Sequence, residues 1–206
     1  VRSHGRQQGW SVDSLVSVLR IEDDESQLAE CWTILADQPL DEVLVELDVD
    51  PPQGVRTLPD LLACGATIDV TYGGELVWET WPASERGRPV VAVRLPGPLE
   101  PLQNHEFRLT LSVPVTTALR RHVHVPGVPC RELTVRVRFA GAGGHSRGCP
   151  PSAWLVESAS LHELDRGARQ PRSLPLLALD TVGEVGSVFR SPTPGLAYGI
   201  HWSSPR

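Results

Sequence analysis

The chain has 206 residues, 40% of them hydrophobic and 21% charged, with a formal net charge of −6. That is enough chain for one ordinary core, and its apolar content lies above the range that favours disorder. The acidic balance speaks against a dedicated nucleic-acid binder, no apolar run approaches the length of a membrane span, and the N-terminus carries no charged-then-apolar signal pattern.

Period-2 alternation of apolar and polar residues dominates the chain. Residues 1–14 are expected to be a disordered N-terminal segment. Strands are expected over 15–22 and 28–36, joined at the acidic run Asp23-Asp24-Glu25, and then over 43–50, where Val43, Val45, Leu47 and Val49 alternate with Leu44, Glu46, Asp48 and Asp50. Arg56 to Leu62 is one short helical stretch, with Leu58, Leu61 and Leu62 on one side. The run 68–72, then Gly73-Gly74, then 75–81 reads as a hairpin, since two glycines supply the positive φ of a tight turn. Further strands are expected over 89–95, 107–113, 133–139, 153–158, 184–190 and 197–202, with a weaker helical stretch over 159–166. Pro and Gly punctuate these runs, with 19 and 18 in the chain. The pattern predicts an all-β fold: one antiparallel β-sandwich of ten to twelve strands over 15–206, with at most two short helices and a flexible loop near 140–152.

Charge and cysteine usage add two constraints. The chain has no Lys and no Met, and all 19 basic residues are Arg, which points to coding bias in a GC-rich bacterial genome. Residues 12–50 hold twelve acids against Arg20, whereas residues 107–147 hold seven arginines against Glu132. Arg108, Arg136 and Arg138, with Arg120 and Arg121 on the preceding loop, are the candidate contact for a small anionic ligand or a protein partner, because guanidinium forks match carboxylate and phosphate. Cys31, Cys64, Cys130 and Cys149 form no CxxC pair and are read as reduced thiols of a cytoplasmic protein, Cys31 and Cys64 as small buried residues.

Two constellations offer chemistry. Gly144-His145-Ser146-Arg147-Gly148 matches the G-x-S-x-G nucleophile elbow, and Ser146 with Asp180 (or Asp165) and His201 follows a workable triad order. The glycine-rich spacer before Ser146 and the prolines at 150 and 151 after it deny the strand–turn–helix context, so no enzyme is expected, and a small serine hydrolase is the alternative. His122, His124, Cys130 and Cys149, with His145, could be assembled into a zinc site, yet their spacing fits no standard knuckle. Neither a metal nor a cofactor is expected.

The C-terminal run Leu179-Asp180-Thr181-Val182-Gly183-Glu184-Val185, Phe189, and Pro194-Gly195-Leu196-Ala197-Tyr198-Gly199-Ile200-His201-Trp202 resembles the end of the β-rich C-terminal domains of actinobacterial Xre-type helix-turn-helix regulators. The segments 105–111 and 130–139 are similar to strands of that family. The resemblance implies a non-enzymatic ligand-sensing or protein-interaction module associated with bacterial transcriptional regulation, here without a DNA-binding domain and so without direct nucleic-acid contact. A purely structural sandwich is a further alternative, and the oligomeric state is left open.

Overall fold

The computed structural model describes residues 9–22, 25–47, 57–78, 84, 87–114, 121–139, 152–160, 164 and 174–203. The expected loop near 140–152 lies almost wholly outside them, as does most of the weaker helical stretch over 159–166. Among the described residues there are thirteen strands and one α-helix, an all-β fold as the alternation predicts. No helix among them is long and apolar enough to cross a membrane.

β1 (Trp10–Ile21) and β2 (Glu25–Ala36) form a long antiparallel hairpin, with Ser17 opposite Glu30. β1 begins five residues before the expected start. The reason is a bulge: the register slips between Val12 and Ser14, so Trp10 and Val12 point inward on even numbers and Leu15, Ser17 and Leu19 on odd ones. A strict alternation therefore breaks at residue 13, although Trp10 and Val12 are both core residues. The bulged Asp13 turns outward to a bidentate pair with Arg131, Nε to Oδ1 at 2.5 Å and Nη2 to Oδ2 at 2.8 Å.

After β3 (Leu40–Glu46) comes helix α1 (Leu58–Ala63), started by a capping box in which Thr57 and Asp60 satisfy each other's backbone N–H groups. Then follow β4 (Thr67–Tyr72), β5 (Glu75–Val77), β6 (Val90–Leu99), β7 (Asn104–Pro114), β8 (Arg121–His124), β9 (Cys130–Phe139), β10 (Ala153–Ala159), β11 (Leu176–Leu177), β12 (Glu184–Arg190) and β13 (Ala197–Trp202). They build a six-stranded sheet in the order β12-β9-β1-β2-β7-β4, a four-stranded sheet β11-β10-β13-β8 and a three-stranded sheet β3-β6-β5. The pairing is antiparallel except between β1 and β9, which run parallel.

The Gly73-Gly74 hairpin does not form. β4 pairs with β7 in the six-stranded sheet, and β5 pairs with β6 in the three-stranded one. The two glycines carry the chain around a corner between sheets. A Cβ on Gly73, at φ +76°, would lie 2.0 Å from the Glu106 carbonyl oxygen, so the demand for glycine is real but comes from a close approach rather than from a tight turn.

The inner face of the six-stranded sheet is covered by β8 and β13. Phe139 of β9 meets Trp202 edge-on at 5.5 Å, and Phe189 of β12 meets Tyr198 at 5.3 Å. β3 and β6 add Val43, Val45, Val91 and Val93 to the same hydrophobic cluster. All six residues of β13 are buried. Gly199, at φ +155°, sits against β8 so closely that a Cβ there would be 2.2 Å from the His122 carbonyl oxygen.

Candidate functional site

The largest departure from an apolar interior lies where β1, β2 and β8 face one another. Alternation along β2 puts Leu28, Glu30, Trp32, Ile34 and Ala36 on its inner face, so a carboxylate enters the core in an apolar register. Ser17 Oγ donates to Glu30 Oε1 at 3.0 Å, and Trp32 Nε1 donates to Glu30 Oε2 at 3.2 Å. From the other sheet, His122 Nε2 lies 3.0 Å from Ser17 Oγ. With Glu30 ionised, the serine proton goes to the carboxylate, and His122 then donates Nε2–H to Ser17. His124, two residues along the same face of β8, turns its ring edge-on to Trp32 at 5.7 Å.

Burial sets the protonation of this group. Ser17, Glu30 and His122 are exposed by 0%, 1% and 3%. Desolvation pushes the Glu30 carboxyl above its ordinary value, against the attraction of His124 and the hydrogen bonds from Ser17 and Trp32. His122 is pushed down to about 3, first by burial and then by the charge of His124, with the Ser17 contact opposing. At neutral pH His122 is a neutral imidazole.

A second polar group lies on the solvent face of the same strand. Cys31 Sγ is 3.0 Å from Tyr72 Oη and 3.3 Å from Glu106 Oε1, and Tyr72 also donates to Glu106. Hydrogen bonds from Tyr72 and then Cys31 lower the Glu106 carboxyl, while burial comes first among the causes that raise the Cys31 thiol. The thiol stays protonated, so it is no ready nucleophile. Cys31 is half-buried and Cys64, at the end of α1, is exposed, which corrects the expectation that both are packed inside.

The sequence-derived sites fare differently. His122 and His124 do share one face, but it is the inner one and is turned to Ser17 and Trp32. Burial raises the Cys130 thiol to about 11, the opposite of what a thiolate ligand requires. His145 and Cys149 lie outside the described residues, among which no three His, Cys, Asp or Glu side chains are grouped to hold a metal ion. Of the triad candidates, Ser146 and Asp165 also lie outside. Asp180 Oδ1 accepts from the backbone N–H groups of Val182 and Glu184, which commits it to its own turn. His201 packs its ring against Trp154.

Among the arginines, Arg136 and Arg138 stand exposed on one face of β9, and Arg136 is 3.5 Å from Glu184. Arg108 is exposed on β7, with β1 and β2 between it and β9. Arg121 belongs to the four-stranded sheet, and Arg120 is outside the described residues. The structure thus joins two of the five and separates the others. The residue that sequence reading passed over is Glu30. Its signal was available: it has the parity of Leu28 and Trp32, where a solvated acid does not belong.

No protein-family model matches this sequence, and no curated protein does. Solved structures do. An M1 zinc metallopeptidase from Deinococcus radiodurans matches with 15% identity and a TM-score of 0.47, over 95% of this chain and 42% of that one. The same organism's enzyme, as a mutant bound to a Tyr-Ser-Ala substrate, matches with a TM-score of 0.48 at 15% identity, over 95% and 43%. A candidate protease from Parabacteroides distasonis matches at 9% identity and a TM-score of 0.47, over 96% and 41%. The chain spans less than half the length of these structures. These matches correct the expectation of a ligand-sensing or protein-interaction module in transcriptional regulation: the structures it resembles are described as peptidases.

Proposed function

We propose that this chain is a non-catalytic β domain that works beside a separate catalytic unit. The observation that supports this reading is the order and burial of Ser17, Glu30 and His122. Acyl transfer by serine needs the imidazole between the hydroxyl and the carboxylate, with Oγ open to substrate. Here the hydroxyl stands between the other two, and its proton is directed at the carboxylate. The group is closed off by the two sheets it joins. Its chemistry is that of a cross-sheet tie, one that fixes how β8 seats on β1 and β2. The catalytic unit in this reading is a peptidase, the activity named for the similar solved structures.

The test is turnover by the chain itself. Aminoacyl p-nitroanilides and p-nitrophenyl acetate, with and without added zinc, are expected to react no faster than in buffer. Ser17→Ala is expected to lower the melting temperature and leave those rates unchanged. Saturable hydrolysis lost on Ser17→Ala, or on chelation, would overturn the proposal.

A further inference from the structure

Among the described residues, each of the three sheets ends in two edge strands. Most of these edges are short or interrupted. β11, β5 and β8 have two, three and four residues. β4 and β3 each carry a bulge, between Val70 and Tyr72 and between Leu40 and Glu42. Such interruptions keep an edge from pairing with another chain. β12 has none: its seven residues run in unbroken register along β9, without a proline.

The hydrogen-bond phase of β12 shows which groups its free side offers. Gly183 O accepts from Phe139 N, and Arg131 O accepts from Ser191 N. Hydrogen-bonded positions alternate in an antiparallel pair, so Val185, Ser187 and Phe189 turn their amide groups to β9. Glu184, Gly186, Val188 and Arg190 turn theirs away. At Glu184 both groups are taken by Asp180, whose N–H donates to Glu184 O and whose Oδ1 accepts from Glu184 N, each at 2.8 Å. Among the described residues β9 is the one strand paired with β12, which leaves Gly186, Val188 and Arg190 facing outward. Val188 is 55% exposed beside them.

This edge is complementary to itself. With a two-fold axis at Ser187, two antiparallel copies set Gly186 of one against Val188 of the other, and the pair exchanges both backbone hydrogen bonds. Glycine leaves room for the valine side chain. Glu184 then faces Arg190 of the second copy on the outer side of the sheet. Within one chain Arg190 lies opposite Glu132, and Glu184 opposite Arg138. The row across the joined edge therefore runs Glu132 and Arg190, then Glu184 and Arg138 of the second copy, alternating in sign. Glu184 keeps its own neighbour, since Arg136 touches only Oε1, at 3.5 Å in a half-exposed pair, and a carboxylate can accept a second guanidinium. Arg190 has no ion pair among the described residues. An axis at Val188 would instead set Arg190 against Gly186 and leave the charges unmatched. We propose that two copies of this chain associate through β12, joining their six-stranded sheets across a two-fold axis at Ser187.

Pairing through this edge holds whether or not the chain is catalytic. The interface is small, so a dissociation constant of about 10–100 µM is expected. Sedimentation equilibrium of the full chain from about 1 to 500 µM should show the mass rising from one chain to two and no further. Val188→Pro deletes an amide that faces away from β9, so the ladder within the chain survives, while association should weaken by about tenfold or more. Glu184→Arg and Arg190→Glu each set like charges face to face and should weaken it by about tenfold. Mixed in equal amounts, these two variants regain both opposite-sign pairs and should associate as the parent does. The double variant, which exchanges the charges within one chain, should do the same. Near-ultraviolet circular dichroism checks that each variant keeps its packing. A monomer at every concentration, or a dimer that survives Val188→Pro, would overturn the proposal. So would masses growing beyond two chains, or charge variants that recover neither on mixing nor in the double variant.

Discussion

Glu30 and Cys31 are adjacent in the chain and live in opposite worlds. One enters the core between the sheets; the other looks outward beside Tyr72 and Glu106. Each face of β2 holds a small group built on a carboxylate: Ser17, Trp32 and Glu30 inside, Tyr72, Cys31 and Glu106 outside. Each carboxylate receives two side-chain donors. Yet the Glu30 carboxyl is raised and the Glu106 carboxyl is lowered. Hydrogen bonds stabilise the ionised form in both places. Only inside is their effect smaller than the cost of removing the charge from water, so desolvation decides the sign.

Truncating the two acids should separate the regions most. Glu30→Ala leaves Ser17 and the Trp32 N–H without their acceptor in a dry interior and opens a cavity. A loss of about 3 kcal/mol or more is expected from denaturant unfolding. Glu106→Ala, made at the surface, should cost less than about 1 kcal/mol. Comparable losses would mean that the interior group is hydrated and would remove the contrast.

Acid titration should come next in size. His122 has a folded pKa of about 3, below its ordinary 6.5, so the native state binds fewer protons than the unfolded chain between those values. The stability it contributes is complete above pH 6.5 and is lost as pH falls toward 3, with a limiting slope of about 1.4 kcal/mol per pH unit. Glu30 has the opposite sign: its raised folded pKa gives stability present below 4.5 and lost as pH rises through the folded value. In His122→Asn, which retains a polar partner for Ser17, the difference from the parent should grow more favourable to the variant as pH falls from 6.5 to 3. Parallel curves for the two proteins would place a charged or solvated imidazole at this position.

The smallest effect belongs outside. Tyr72→Phe removes one donor from Glu106, so the carboxyl should move up toward its ordinary 4.5, followed by carbon-detected NMR titration. Stability should change by less than about 1 kcal/mol, because water replaces the phenol. A larger loss would show that the outer group is more sheltered than the solvent face of a sheet allows.

Most strands were legible because alternation is a local property that each segment carries by itself. For several residues of the C-terminal run the structure supplies a physical reason. Tyr198 Oη accepts from Thr193 N at 2.8 Å, Gly199 lets β13 press against β8, and Trp202 packs on Phe139. Other features were misread. Trp10 to Ser14 were hidden by the bulge, which reverses parity without leaving the strand. Gly73-Gly74 looked like a hairpin because the need for glycine is the same at a tight turn and at a sheet corner. Cys31 and Cys64 looked buried because their neighbours are apolar, yet one is half-buried and the other exposed.

By itself, then, the sequence determined that this chain is all-β, and it carried in the shared parity of Leu28, Glu30 and Trp32 an inward position for Glu30 that the reading passed over. Both follow from period-2 geometry within a few residues. Only the tertiary structure decided what Glu30 and Ser17 would meet. His122 lies 105 residues from Ser17, and its arrival depends on β8 pairing with β13 and seating over β1 and β2. Pairing partners are chosen by the fit of whole faces, so the same run of residues can present its imidazoles to water, to a metal or to a buried hydroxyl, and the assembled sheets selected the last.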